Sequence, residues 1–399
     1  MPPGNRQVTW LLAALGAAWL AAPGTAGAQP VHGPTAAAGL YPSVILFHKP
    51  HHDDGPAQVR HVAELGFRKV QVVVTLQCEL DQQRNVVRYG RARGWRMSPL
   101  DEQSLAEFRE ALRQTFAAVA AERMQVAIVA HLNSAGRIDD WRNHFRFDPL
   151  AEYDGYSYQT AVIDSIADAA AAELPADAVV DFSLCGEMGR SVFEHADSYQ
   201  AMIDRLRQRE KGPHWRLGVS LNFDGPASEL EPTEEQSAAV TALLGASDLV
   251  GISEYRWFDL PPDPGDFAAA VEQFYAAMDQ LGVHGHRTLP LHFSEVGLGG
   301  GSGGNRPAKT PADAALKPWE GVATPRNNPW TTDEMRDFRR AYHAALLGFL
   351  ADPPDGIPVT DAFLWSELSW DPLDVIDRGF ADEAIAAAIR THNAAVSEQ

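Results

Sequence analysis

Cysteine is scarce in this sequence. Cys78 and Cys185 are the only two among 399 residues, too few for the disulfide framework of a small secreted domain and too few to form a zinc site alone. A single bridge between them is compatible with an oxidising compartment. Cys185 lies in a predicted buried strand, however, so the sequence favours free, buried thiols.

An excess of positive charge is also lacking. The formal net charge is −20, and the acidic residues are spread along the chain rather than gathered in a tail. Phosphate binding needs a basic surface, so we expect no nucleic-acid partner. An anionic membrane surface is disfavoured for the same reason. A neutral ligand such as a sugar is compatible with this charge.

Long apolar runs are lacking outside the N-terminus. Within residues 1–28, Arg6 precedes an apolar stretch over residues 8–22, and small residues follow up to Ala26 and Ala28. This layout predicts a secretory signal peptide that is cleaved before Gln29. The alternative, an N-terminal membrane anchor, is disfavoured because the stretch is short for a bilayer span. We therefore expect a secreted or periplasmic protein.

The remaining chain reads as one domain. Residues 29–40 form an Ala/Gly/Pro-rich leader, and residues 41–399 form the predicted domain. Eight short apolar runs recur, without strict alternation, as is typical of strands buried on both faces of a parallel sheet. The runs are Ser43–Phe47, Lys69–Leu76, Gln125–Ala130, Val179–Leu184, Arg216–Leu221, Leu249–Ser253, Thr288–Phe293 and Ala362–Trp365.

Amphipathic helical patterns lie between these runs. They include Leu105–Glu122, Ser157–Glu173, Ser198–Glu210, Glu234–Leu244, Asp266–Leu281, Thr332–Leu350 and Ala381–Asn393. Eight alternating strand and helix units predict a single-domain α/β fold, the closed (β/α)8 barrel, also called the TIM barrel. A seven-strand count or an open doubly wound sheet remains the alternative.

Polar residues concentrate where the apolar runs end. Chemistry in (β/α)8 enzymes takes place at the C-terminal ends of the strands. The residues at or near these ends are His48, Gln77, Glu79, His131, Asn133, Glu187, Asn222, Asp224, Glu254, Tyr255, Glu295 and Glu367. A mixture of carboxylates, amides, imidazoles and aromatic rings is typical of a site that binds sugars.

Two of these glutamates have the placement of a catalytic pair. Glu187 follows the fourth run in VVDFSLCGEMG, and Glu295 follows the seventh run in LPLHFSEVG. Glycoside hydrolysis uses one protonated and one ionised carboxyl group, about 5–5.5 Å apart for retention and about 6.5–9.5 Å apart for inversion. Glu254 and Glu367 end the sixth and eighth runs, and they are rivals that could instead bind sugar hydroxyls.

The strand-end motifs resemble those of the clan A glycoside hydrolases, β-mannanase-like members among them. HFSEVG is similar to the clan's nucleophile strand, and DLVGISEYRWF to its sixth strand, which carries an aromatic residue near the site, here Tyr255. FLWSELSW is similar to its eighth strand, with a sugar-stacking Trp, here Trp365. By element order the resemblance spans about residues 41–392.

This resemblance implies a retaining hydrolase of β-linked glycans that needs no cofactor or metal. It implies that Glu187 is the acid/base, that Glu295 is the nucleophile and that Tyr255 donates a hydrogen bond to Glu295. The other residues expected to hold the carbohydrate substrate are His48, His131, Asn133, Asn222, Trp365 and Glu367.

One position departs from the clan's pattern. In most of the clan, Asn directly precedes the acid/base Glu and binds the sugar 2-hydroxyl. Here that position is Gly186, with Cys185 before it. Either another group supplies this contact, with Asn222 and Asn133 as the candidates, or the subfamily differs.

Two other functions are compatible with the same sequence. A non-catalytic glycan-binding barrel would keep aromatic residues but would not need both glutamates. A metal-dependent barrel hydrolase could use HKPHHDD, residues 48–54, although we expect this segment to be a solvated loop without ligand spacing. Carboxyl groups more than about 10 Å apart would exclude the paired mechanism. Convergence of residues 51–54 with His131 or His292 would favour a metal.

The longest irregular segment is Gly297–Trp330. A segment of this length is usually a lid or a binding loop, and a flexible insertion is the alternative. Its GLGGGSGGN stretch lacks the Lys-Ser/Thr of a phosphate-binding loop, so we expect a flexible active-site loop. Tryptophans in loops or near strand ends would suit glycan subsites; they are Trp95, Trp141, Trp257, Trp319, Trp330, Trp365 and Trp370.

Overall fold

Eight parallel strands close into a barrel in the computed structural model, which describes residues 36–93, 96–376 and 379–397. The predicted signal peptide, residues 29–35 of the leader and Trp95 lie outside the described residues. The strands are β1 (Gly39–Leu46), β2 (Lys69–Leu80), β3 (Val86–Arg93), β4 (Arg96–Pro99), β5 (Gln125–Ser134), β6 (Val179–Gly186), β7 (His214–Asn222), β8 (Leu249–Glu254), β9 (Leu291–Val296) and β10 (Val359–Leu364).

The order around the barrel is β1-β2-β5-β6-β7-β8-β9-β10, and β10 pairs with β1 to close it. The (β/α)8 prediction is therefore confirmed, and the open sheet is excluded. Strand residues such as Val70, Val72 and Val74 of β2 are fully buried. Their branched side chains suit a strand that is covered on both faces.

Helices surround the barrel. They are α1 (Lys49–Glu64), α2 (Glu102–Ala121), α3 (Asp164–Glu173), α4 (Gly189–Glu194), α5 (Ala196–Arg207), α6 (Glu234–Ala246), α7 (Pro264–Gln280), α8 (Pro311–Ala315), α9 (Asp333–Ala351) and α10 (Glu383–Ser397). Capping boxes begin α2 at Asp101, α6 at Thr233 and α7 at Asp263. Each supplies partners for backbone N–H groups that the first helical turn leaves open.

Several predicted boundaries shift. The first strand begins at Gly39, inside the predicted leader, and the seventh begins at Leu291 because His286–Thr288 forms a 3₁₀ turn. β2 runs beyond Leu76 to Leu80 and pairs antiparallel with β3, which pairs with β4. The sequence did not indicate β3 and β4, because charged residues interrupt them and leave no apolar run to recognise.

The prediction of a solvated loop at residues 48–54 is wrong. His48 is the N-cap of α1, and the helix begins at Lys49 with Pro50 in its first turn. Pro50, Gly55 and Pro56 look like helix breakers in the sequence. A proline in the first turn is tolerated, because its missing N–H would have no helical partner there.

The first five residues of the Gly-rich stretch are packed, against the expectation of a flexible loop. Gly297–Gly301 are buried, and a Cβ on Gly299 would lie 2.1 Å from the Glu320 carbonyl oxygen. Trp330 donates from Nε1 to the Ser369 carbonyl at 2.8 Å, and Trp370 donates to the Pro318 carbonyl at 3.0 Å. These glycines and tryptophans thus pack the segment against the barrel, because glycine permits the close backbone approach.

Two glycines test how tightly the barrel strands pack. A Cβ on Gly218 would lie 2.1 Å from the Leu249 carbonyl oxygen of the neighbouring strand, whereas a Cβ on Gly245, exposed in α6, would meet nothing within 4 Å. We expect Gly218→Ala to lower the free energy of unfolding by about 1–3 kcal/mol through overpacking. Gly245→Ala should raise it by about 0.5–1 kcal/mol. Urea unfolding of both variants checks this, and equal effects would contradict it.

Candidate active site

Glu187 lies in the turn that directly follows β6. Its φ is 53°, in the left-handed region that non-glycine residues seldom adopt. Its backbone N–H donates to the Ser220 carbonyl at 3.1 Å, which ties this turn to β7. Its side chain is buried, with 6% of the residue exposed. Strain of this kind persists where the surrounding structure enforces it, often at functional sites.

Glu295 lies within β9 and is 3% exposed. It pairs with Ser253 of β8, next to a register shift between Ile252 and Ser253. Such irregularities re-aim side chains near active sites. The structure thus places both predicted catalytic glutamates at the ends of barrel strands.

Glu187 accepts three hydrogen bonds. Trp141 Nε1 donates to Oε2 at 2.9 Å, and Arg142 Nη1 donates to the same oxygen at 3.0 Å. Asn222 Nδ2 donates to Oε1 at 2.9 Å. Hydrogen bonds and a cation of this kind stabilise the ionised carboxylate.

Glu295 has longer contacts. Arg142 Nη1 and Tyr255 OH donate to it at 3.4 Å each. His131 Nε2 lies 3.3 Å from Oε1. The Tyr255 hydroxyl thus lies at the Glu295 carboxylate, and its role in substrate binding stays a prediction.

A single nitrogen of Arg142 links the two carboxylates. The distances from Nη1 are 3.0 Å to Oε2 of Glu187 and 3.4 Å to Oε1 of Glu295. These two oxygens therefore lie at most about 6.4 Å apart, the sum of the two distances. The pair passes the limit of about 10 Å beyond which a two-carboxylate mechanism fails.

Burial dominates the electrostatics of this pair. It raises the pKa of Glu295 to about 7, and Arg142 and Tyr255 oppose that shift. Burial, with repulsion from Glu295 second, also raises the pKa of Glu187; Arg142, Trp141 and Asn222 oppose it. Two carboxyl groups so close together titrate as a pair.

Arg142 and Trp141 were not predicted as partners of the glutamates. They come from the segment after β5, where Arg142 begins the 3₁₀ turn Arg142–His144. Arg142 Nε donates to Asn133 Oδ1 at 3.2 Å, so Asn133 orients the guanidinium. Trp141 is 37% exposed and lies over Glu187. A Trp-Arg pair soon after the third barrel strand was the available signal, because loops after barrel strands carry site residues.

Gly186 and His131 share one volume. A Cβ on Gly186 would lie 1.9 Å from Nε2 and 2.3 Å from Cδ2 of His131. The imidazole therefore occupies the space that a side chain at position 186 would need. This gives a physical reason for glycine at the position that departs from the clan's pattern.

Trp365 is buried beside this histidine. Its ring centroid is 6.1 Å from that of His131, nearly parallel, and 5.5 Å from that of Phe47. Only 6% of Trp365 is exposed. Trp365 therefore packs against the histidine that contacts Glu295, and its sugar-stacking role remains a prediction.

Three other strand-end residues occupy different surroundings. Ser253 pairs with Glu295, and Glu254 is the next residue along β8. Because successive side chains of a strand point to opposite faces, the Glu254 side chain faces away from the Glu295 side of the sheet. There it accepts from Arg256 N–H at 2.9 Å. His48 caps α1, and Glu367 precedes the 3₁₀ turn Leu368–Trp370. Substrate contacts by His48 and Glu367 remain predictions.

The histidine cluster near α1 has structural partners. His52 is fully buried, with Nε2 2.9 Å from the Leu46 carbonyl and 3.1 Å from the Thr75 carbonyl. Arg91 donates to its Nδ1 at 3.2 Å, so both ring nitrogens are engaged. Burial and Arg91 lower its pKa to about 3. Across the described ranges, no group of three His, Cys, Asp or Glu side chains is arranged to hold a metal ion.

Both cysteines are buried and free, as the sequence favoured. No helix in the described part of the chain is long and apolar enough to cross a membrane.

No protein-family model matches the chain, and no curated protein sequence matches it. Solved structures with a similar fold include a GH113 β-mannanase from Alicyclobacillus acidocaldarius in complex with ManMIm (17% identity, 90% of this chain and 98% of that chain covered, TM-score 0.49). A GH113 β-1,4-mannanase complex has 13% identity, the same coverage and a TM-score of 0.48. A family 5 mannosidase from Rhizomucor miehei has 11% identity, 92% and 94% coverage, and a TM-score of 0.47. At such values these likenesses assign no role to any residue.

The shared volume of Gly186 and His131 can be tested by a double-mutant cycle. We expect Gly186→Ala to lower the free energy of unfolding by about 1–3 kcal/mol, because the new methyl group displaces the imidazole. In the His131→Ala background the same substitution should cost less, with a coupling energy of at least about 0.5 kcal/mol. Denaturant unfolding of the four proteins measures it. Additive effects would show that the two positions do not compete for space.

Glu254 generates a prediction on pH and stability. Burial raises its pKa to about 8, above the value in the unfolded chain. The folded protein therefore retains this proton, and the stabilisation is lost as pH rises through about 8. Glu254→Gln removes this contribution. We expect the free energy of unfolding of the variant to fall less steeply between pH 5 and pH 8 than that of the wild type, by up to about 1.4 kcal/mol per pH unit. Parallel profiles in urea titrations would refute this.

Proposed function

We propose that the protein is a retaining glycoside hydrolase that cleaves a β-linked glycan. The observation that carries the proposal is the pair of buried carboxylates of Glu187 and Glu295, which extend from opposite parts of one barrel mouth and share Arg142 Nη1. The limit of about 6.4 Å on their nearest oxygens is compatible with the short separation of retaining enzymes, about 5–5.5 Å. The predicted signal peptide adds the proposal that the enzyme acts outside the cytoplasm.

In the proposed reaction, Glu187 donates a proton to the glycosidic oxygen while Glu295 attacks the anomeric carbon, so the C–O bond breaks and a glycosyl ester forms. In the second step Glu187 takes a proton from water, the water oxygen attacks the anomeric carbon, and the Glu295 carboxylate leaves. Tyr255 and Arg142 stabilise negative charge on Glu295 whenever it is ionised.

Burial raises the pKa of both carboxyl groups, and repulsion from Glu295 raises that of Glu187 further. A carboxyl group with a raised pKa holds its proton closer to neutral pH, which the proposed acid Glu187 needs. Trp141, Arg142 and Asn222 oppose the shift at Glu187. A substrate that displaces one of these donors would raise the affinity of Glu187 for the proton.

A non-catalytic glycan-binding barrel is less well supported. Burying two carboxyl groups of like charge lowers stability, and a binding surface has no need for that arrangement. Polar groups retained at such a cost are expected where chemistry requires them.

Azide rescue separates the two glutamates. The substrate is an activated aryl β-glycoside, selected from a panel that includes mannosides, glucosides, xylosides and galactosides. We expect Glu295→Ala to lose at least about 10³-fold in kcat/KM, and Glu187→Ala to lose at least about 10²-fold in kcat, because an activated leaving group needs no acid but the second step still needs a base. Azide should restore turnover in both. The Glu187→Ala product is expected to be the β-glycosyl azide, because Glu295 still forms the intermediate. The Glu295→Ala product is expected to be the α-glycosyl azide, from direct attack.

Proton NMR of the azide products identifies the anomer. Glu254→Gln is the matched control, a buried strand-end glutamate outside the pair, and it should keep kcat/KM within about twofold. Undiminished activity of Glu295→Ala would overturn the proposal. Reversed anomers would exchange the two roles.

A further inference from the structure

His131 is a buried polar side chain without a well-directed hydrogen bond. It is fully buried, and within the described residues neither ring nitrogen has a hydrogen-bond partner. A buried polar group left in this state lowers the stability of the folded protein. Such groups in native proteins call for an explanation, and a ligand that completes the hydrogen bonding is one.

The ring is held beside the proposed nucleophile. Nε2 lies 3.3 Å from Oε1 of Glu295, and the other side of the ring stacks on Trp365. A proton on Nε2 avoids repulsion between two lone pairs at this distance, so the imidazole presents an N–H toward the site. Gly186 leaves the space that this placement requires.

The amides that could compete for a sugar hydroxyl are already engaged. Asn222 donates to Glu187 and accepts at Oδ1 from the N–H groups of Asp224 and Gly225. Asn133 accepts from Arg142 Nε. His131, by contrast, is fully buried 3.3 Å from Glu295, and within the described residues both of its ring nitrogens lack a hydrogen-bond partner.

The chemistry of retention brings one particular hydroxyl to this place. Glu295 attacks the anomeric carbon, and the 2-hydroxyl is on the neighbouring ring carbon, so it must lie close to the Glu295 carboxylate. Hydrogen bonds to the 2-hydroxyl strengthen in the transition state and thereby accelerate the reaction. A donor 3.3 Å from that carboxylate is within reach of the same hydroxyl.

We propose that His131 Nε2–H donates a hydrogen bond to the 2-hydroxyl of the sugar whose glycosidic bond is cleaved. The imidazole reaches this position because Gly186 has no side chain to occupy the same space. The inference rests on the proposed function and assigns a specificity-determining contact within it. His131 thereby takes the task for which Asn222 and Asn133 were the candidates. The contact makes the enzyme discriminate against sugars that lack or alter the 2-hydroxyl.

The test compares two substrates, the 2,4-dinitrophenyl β-glycoside of the sugar that the wild type cleaves best and its 2-deoxy counterpart. For each protein the measured quantity is the kcat/KM of the 2-hydroxy substrate divided by that of the 2-deoxy substrate, so that differences in overall activity between proteins cancel. The intrinsic reactivity of the two substrates cancels when this ratio is compared between proteins. We expect the wild-type ratio to exceed the His131→Ala ratio by at least about tenfold.

Gly186→Ala provides a second, independent variant, because its methyl group displaces the imidazole and leaves it in the chain. Its ratio should also fall. His343→Ala is the matched control: His343 is likewise buried, in α9, and it contacts the Arg339 carbonyl at 2.8 Å. It should keep the wild-type ratio even where it lowers stability.

An unchanged ratio in both His131→Ala and Gly186→Ala overturns the inference and leaves the proposed function intact. The same holds if His343→Ala lowers the ratio as much as His131→Ala does. A wild-type protein that cleaves no glycoside of the panel overturns the proposed function, and the inference with it.

Discussion

The candidate site depends on one guanidinium nitrogen held between two buried carboxylates. Coulombic repulsion and desolvation both act against placing Glu187 and Glu295 together in the barrel mouth. Arg142 lowers the pKa of both groups, and it is the only cation in contact with both among the described residues. Its position is fixed in turn by Asn133, at the end of a barrel strand. The two glutamates at the strand ends thus depend on an arginine from the segment that follows β5.

The barrel provides the precision that such a site needs. Glu295 is part of a strand, and Glu187 follows one in a strained turn that is tied to Ser220 of the next strand. Gly186 and Gly251 allow the inner side chains His131, Ser220 and His292 to approach the backbone closely. Rigid strand ends combined with a covering loop are a general solution for positioning catalytic groups.

Much of this could be predicted from the sequence, because the pattern of apolar runs reflects burial on both faces of each strand. The barrel, the strand-end positions of the two glutamates and the free cysteines followed from local patterns, whereas the resemblance to clan A motifs pointed to Tyr255. The contacts of Arg142 with both glutamates could not be predicted, since these partners are separated from it by 45 and 153 positions and depend on the loop conformation. The competition between Gly186 and His131 is likewise a contact between strands. Two local expectations differ from the structure: the solvated loop expected at residues 48–54 is the beginning of α1, and the first five residues of the Gly-rich stretch are closely packed.

The placement of Arg142 has a consequence for ligands. Cleavage of a glycosidic bond develops positive charge at the anomeric carbon, between the same two carboxylates. In the free protein the guanidinium already supplies positive charge there, so the empty site resembles, electrostatically, the site at the moment of bond cleavage. A positively charged sugar mimic therefore has to compete with an internal cation before it gains anything from the two carboxylates. A neutral sugar does not have to compete with Arg142 on binding, because the arginine can remain near Glu295 until positive charge develops on the sugar ring.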